Sequence, residues 1–143
     1  MKRKKKKEKR KTRKERRRTK KEKGMGEFIF EKLEVYQRSL KFSIEIVKVA
    51  TDFSYKYRRI RDQFIGAAIS IPLNLAEANG RGSSKDKINF YRFARGSCFE
   101  CIPLIDICFK LKLINQKEAL EYRQEIKEIT SMIYGLIRYQ NKQ

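Results

Sequence analysis

From Leu33 to the end of the chain, apolar residues return every three or four positions, and nowhere do they alternate with polar ones as a half-buried strand requires. Helices are therefore the regular structure available to bury them. In LEVYQRSLKFSIEIVKVATDF, Leu33, Tyr36, Leu40, Ile44 and Val47 form one stripe, with Val35, Phe42, Ile46 and Val49 beside it, a wide apolar face. YRRIRDQFIGAAISIPLNLAEA repeats the period through Ile60, Phe64, Ala67, Ala68, Ile71 and Leu75 and predicts a second helix over 58–78. Pro72 lies inside it, removing a backbone donor and crowding the carbonyl of Ala68. The pattern resumes at Leu75, so a kink is expected there and not an end.

A third helix is predicted over 85–110, with Ile88, Tyr91, Ala94, Cys98, Cys101, Ile105 and Cys108 along one side and a bend at Pro103. Asn115 with Glu118 has the spacing of a capping box, and Leu120, Ile126, Ile129, Ile133 and Leu136 carry a fourth helix to Arg138. Helices of this length run about 30 Å each, and the turns between them are short. The expected fold is all-α: an up-down-up-down antiparallel four-helix bundle over 25–143.

Between the second and third helices stands NGRGSS. Asn79 and Gly80 suit the left-handed cap of a helix end, and Ser83 with Asp86 suits a helix start. A nucleotide-binding P-loop needs a strand before it and Lys-Ser/Thr directly after its last glycine, and this stretch has neither. A free phosphate or a backbone phosphate of RNA touched by Arg81 and Lys85 fits better, because helix N-termini favour anions.

Charge divides the chain at Gly24. Its formal net charge is +20, and the first 24 residues, 17 basic and 3 acidic, carry +14 of it. Apart from Met1 they contain no apolar residue, so the segment 1–24 is expected to be a disordered polybasic tail. Two readings of it stay open. Lys, Arg, Glu and Gly share purine-only codons, so a run of them before Met25 is what a translated ribosome-binding leader would encode, with Met25 as the true start. Alternatively it is an arm that binds nucleic acid by releasing counterions. No apolar run reaches membrane-spanning length and the tail lacks the apolar stretch of a signal peptide, so a cytoplasmic protein without membrane contact is expected.

The inventory for catalysis is thin. There is no histidine, which removes the commonest general base and metal ligand. Ser70, Ser83 and Ser97 have no base to activate them. Cys98, Cys101 and Cys108 share one helix face with no fourth ligand, so they read as small core residues and not as a zinc site. No enzyme activity, catalytic residue, metal or cofactor is expected.

Three stretches carry a resemblance. LEVYQRSLKFSIEI, AAISIPLNLAEANGRGS and FYRFARGSCFE are similar to the motifs of the four-helix-bundle family of bacterial 23S ribosomal-RNA intervening-sequence proteins, over about Phe30 to Arg138. The family is related to the accessory variability protein of diversity-generating retroelements. The resemblance implies a homopentamer, and in the retroelement branch nucleic-acid binding together with a reverse transcriptase. It marks Ser70, Pro72, Asn74, Glu77 and Glu100 as motif residues with structural roles. Gln63 to Ala67 depart from the family pattern by lacking a basic pair, and Glu77 to Arg81 shift the turn.

The functional expectation then rests on cations. Arg58, Arg59 and Arg61 open the second helix, Arg81 and Lys85 flank the turn, and Arg92 and Arg95 continue along the third. These residues are expected to bind RNA or DNA through backbone phosphates, with oligomerisation multiplying a weak patch. The alternative is a structural oligomer or protein-interaction scaffold whose charge serves solubility or docking.

Overall fold

A computed structural model of the protein describes residues 28–143. The segment 1–24 and Met25 lie outside the described residues. Ile29–Lys32 forms a single 3-10 turn. From Leu33 to Gln143 the chain is a unit of its own. It contains α1 (Glu34–Thr51), α2 (Arg58–Asn79), α3 (Ser84–Lys110) and α4 (Gln116–Asn141), with a 3-10 turn at Tyr55–Tyr57 ahead of α2. α1 packs on α2, α2 on α3 and α3 on α4, while α4 closes back on α1. The diagonal pairs do not meet, which is the arrangement of an up-down-up-down four-helix bundle.

The starts of α3 and α4 follow from their caps. Ser83 accepts a hydrogen bond from the Asp86 amide at 3.2 Å. Asn115 and Glu118 form the reciprocal capping box, at 2.8 and 3.0 Å, so two amides at the start of α4 are satisfied. The end of α2 differs from expectation. Gly80 is right-handed, with φ of −80° and ψ of −9°, and its amide reaches back to Ala76 and Glu77. The left-handed turn occurs instead after α3, at Lys112, with φ of 59°. There the Leu113 amide bonds the Cys108 carbonyl and the Lys112 amide bonds Phe109, the two bonds of a Schellman motif.

Helices α2 and α3 bury the stripes read from the sequence, including Phe64, Ile71 and Leu75 on one and all seven residues from Ile88 to Cys108 on the other. α1 does not. Its buried line is Val35, Ser39, Phe42, Ser43, Ile46 and Ala50, while Leu40 and Ile44 stay exposed. Apolar residues make up half of this helix and form two adjoining stripes, so periodicity alone leaves the inward direction undetermined. Small serines settle it, because they let α1 approach α2. In α4, Ala119 and Tyr122 take the inward place and Leu120 faces out.

α2 continues unbroken through Pro72. A proline there leaves the Ala68 carbonyl without its helical amide. Ser43 on α1 donates to that carbonyl at 2.8 Å. Pro103 lies on an exposed part of α3, where water can serve the freed carbonyl of Phe99.

Candidate nucleic-acid interface

Of the residues marked by the motif, Ser70 joins α2 to α3. Ser97 Oγ donates to Ser70 Oγ at 2.8 Å and also lies 3.1 Å from the Phe93 carbonyl. Asn74 Nδ2 donates to the Ser70 carbonyl at 2.8 Å and to Ser70 Oγ at 3.0 Å. Glu77 binds Arg81 at 2.6 Å on the surface, and the Arg81 guanidinium stands 4.4 Å from the centre of the Phe90 ring on α3. Glu100 is exposed and shares a shallow groove with Arg59, Asp62 and Gln63. Among the described residues no buried side-chain nitrogen or oxygen lacks a hydrogen-bond partner.

The seven predicted cations do not form one patch. Arg58, Arg59 and Arg61 open α2, and Arg81 follows its end, so about 33 Å of helix separates the groups. Several are already occupied. Arg61 pairs with Asp62 at 3.0 Å, Arg58 lies over the Tyr55 ring at 4.8 Å, and Arg95 lies over the Tyr134 ring of α4 at 5.1 Å. Arg59, Lys85 and Arg92 are exposed and have no ion pair among the described residues.

A feature that the charge count missed lies between α3 and α4. Phe99, Ile102, Leu120 and Ile126 line a groove of about 480 Å³ whose rim carries Arg123 and Lys127. Phe99 is 58% exposed, and Phe93, two turns earlier on a neighbouring face, is 57% exposed. Arg123 pairs with Asp106 at 2.8 Å, whereas Lys127 has no such partner among the described residues. The sequence does hold a signal for this face. Phe93 and Phe99 fall off the Ile88–Cys108 stripe, and Arg123, Lys127, Tyr134 and Arg138 recur at helical spacing on α4.

Two acids of α4 lie on its other side. Glu121 and Glu125 line the groove toward α1 with Arg38, Lys41 and Glu45. Arg38 donates to both oxygens of Glu125, at 2.8 and 2.9 Å, a bidentate pair that ties α1 to α4. That hydrogen bond, outweighing the opposing effect of burial, holds the Glu125 carboxyl below its ordinary range, and it raises the Arg38 guanidinium.

A second apolar groove, of about 490 Å³, runs between α1 and α2 and is lined by Leu40, Ile44, Ile69 and Leu73. Leu73 is 63% exposed. The three cysteines are free and buried in the core, and burial pushes the Cys98 and Cys108 thiols up to about 11 and Cys101 higher still. Among the described residues no helix is long and apolar enough to cross a membrane.

No curated protein matches the chain. A crystal structure from Bacteroides thetaiotaomicron, described as a protein with unknown function from the S23 ribosomal protein family, has the same fold. Its TM-score is 0.68 at 21% sequence identity, covering 73% of this chain and 95% of that one. The family model described as 23S rRNA-intervening sequence protein matches residues 31–135, a span that takes in all of α1, α2 and α3 and most of α4. With that match on the fold that its motifs imply, the chain belongs to the 23S rRNA-intervening sequence protein family.

Proposed function

We propose that the protein is a non-enzymatic, cytoplasmic homo-oligomer that binds RNA, or other nucleic acid, through backbone phosphates. The observation that carries this reading is the set of exposed cations, Arg59, Lys85, Arg92 and Lys127, that form no ion pair among the described residues. Phosphate contacts position a strand without reading its bases, so little sequence preference is expected. The family description, which names 23S rRNA, agrees with RNA as the partner. Assembly as a pentameric ring follows the family resemblance, and the apolar α1–α2 groove supplies surface for copies to bury.

The same groove supports a second reading, a protein-interaction scaffold, of which a reverse transcriptase would be one partner. A gene placed within ribosomal RNA or beside a reverse transcriptase favours the nucleic-acid role. Mobility shift with RNA at several salt concentrations decides between them. Binding should fall with salt, with a log-log slope of about −0.7 per phosphate contact for single strands, and a chain starting at Met25 should show a flatter slope. Absence of binding by the full chain at low salt removes the nucleic-acid reading in favour of the scaffold.

A further inference from the structure

We infer that the α3–α4 groove is where a single strand of nucleic acid lies, with a base against Phe99 and phosphates on Arg92 and Lys127. This rests on the nucleic-acid role proposed above and adds to it the strand type and a location. The predicted cations at the start of α2 and at the α2–α3 turn are then secondary.

Three observations converge on this face. The first is an apolar floor, formed by Phe99, Ile102, Leu120 and Ile126, in which the Phe99 ring is more than half exposed. Water gains nothing from such a surface, whereas the flat face of an unpaired base fits it. A duplex keeps its base faces stacked inside and shows phosphates, so it cannot use the floor.

The second is the placement of charge. Arg92 precedes Phe99 by seven residues and Arg95 precedes it by four, so both stand on the same side of α3 as that ring. Lys127 borders the groove from α4, and Arg95 leans on Tyr134, seven residues after Lys127. Lys127 thus stands at the rim of the groove, and Arg95 and Arg92 continue the line of charge along α3 beyond it. The third is Gly96, an exposed mid-helix glycine next to this strip, where an added Cβ would meet nothing within 4 Å. Packing inside the bundle does not require it, and it leaves the surface open to close approach.

A second copy of the chain is the competing occupant. The acids that could answer this basic rim lie along the α1–α4 groove, but Arg38 and Lys41 are interspersed among them and Glu125 is held by Arg38. That side offers no continuous acidic strip, and phosphate answers the rim better.

The test uses the full chain, a fluorescein-labelled oligouridylate, and a double-stranded RNA of equal length, with affinity followed by anisotropy across salt and mass by native mass spectrometry. Phe99→Ala should weaken oligouridylate binding about tenfold, whereas Phe99→Tyr should bind as the parent does. Arg92→Gln with Lys127→Gln should reduce the salt slope by about 1.4, and the duplex should compete poorly. Parent-like binding by both Phe99→Ala and the double variant, with loss on neutralising Arg58, Arg59 and Arg61 or on removing residues 2–24, overturns the groove but leaves the nucleic-acid role standing. A fall in oligomer mass for Phe99→Ala, with binding unchanged, assigns the face to a second copy and also overturns it. Failure of the parent to bind at low salt overturns both.

Discussion

Ser43 Oγ on α1 donates, at 2.8 Å, to the Ala68 carbonyl of α2, the group that Pro72 deprives of its helical amide. The same hydroxyl lies 2.8 Å from the Ser39 carbonyl, but that oxygen belongs to the unbroken ladder of α1. With one proton to give, Ser43 meets the greater need at Ala68. The proline and the serine therefore act as a pair although they are 29 positions apart.

That pairing sets the first prediction. Ser43→Ala should cost about 1–3 kcal/mol by leaving a buried carbonyl unsatisfied. In a Pro72→Ala background the restored amide serves Ala68, so the same change should cost about 1 kcal/mol less, with helical content intact. Urea unfolding of the four proteins in the cycle measures this. Simple additivity would mean that the hydroxyl and the proline are independent.

Lys112 gives the second. It occupies the left-handed position of the Schellman motif after α3, where a side chain costs roughly 1–2 kcal/mol and glycine does not. Lys112→Gly should stabilise the fold by about 0.5–1 kcal/mol after glycine's greater freedom in the unfolded chain is subtracted. A lowered urea midpoint would show that the lysine side chain makes a compensating contact.

The Arg38–Glu125 pair gives a pH dependence. The folded carboxyl is held below its unfolded value, about 4.3, so its contribution is present above that pH and is lost as pH falls through the folded pKa. Glu125→Gln should therefore cost about 1 kcal/mol at pH 7 and progressively less below about pH 4. A stability difference that is constant from pH 7 to pH 3 would rule out the charge as its origin.

The α1–α2 groove tests assembly. Leu73→Glu places a carboxylate on its most exposed apolar residue, and if copies meet there the oligomer should dissociate while circular dichroism remains helical. Native mass spectrometry at micromolar concentration reads the result. A parent that is monomeric, or a variant that keeps the parent's mass, would exclude this groove as the contact.

How far the sequence could be read differs from helix to helix. α3 was legible in its Ile88–Cys108 series, whose residues are all buried, although Phe93, Phe99, Ile107 and Phe109 lie off that stripe and stay exposed. α1 was not, because two apolar stripes competed and the decision lay with Ser39 and Ser43, residues whose value appears only when α2 is beside them. Ser83–Asp86 and Asn115–Glu118 were legible as local chemistry. Gly80 misled, since a glycine permits a left-handed turn without requiring one. At the candidate site, counting cations found Arg92 and Arg95 but not the ring they border. A groove built from α3 and α4 joins Phe99 and Ile102 to residues a whole helix further along the chain, such as Lys127, which no local pattern displays.

The hydroxyl contact between Ser70 and Ser97 also bears on which folds the chain rejects. A bundle held by aliphatic side chains alone has neighbouring minima, reached by sliding one helix along another by a turn, about 5.4 Å. Greasy surfaces distinguish those positions poorly. A slide of α3 against α2 would carry Ser97 away from Ser70 and lose the hydroxyl–hydroxyl bond across the seam, while Asn74 and Ser70, both on α2, keep theirs. Such a bond contributes about 0.5–1.5 kcal/mol, a noticeable part of the margin by which a small domain is stable. Ser70 and Ser97 thereby favour one register of α3 on α2 over its neighbours, so the pair bears on how many structures the chain can adopt.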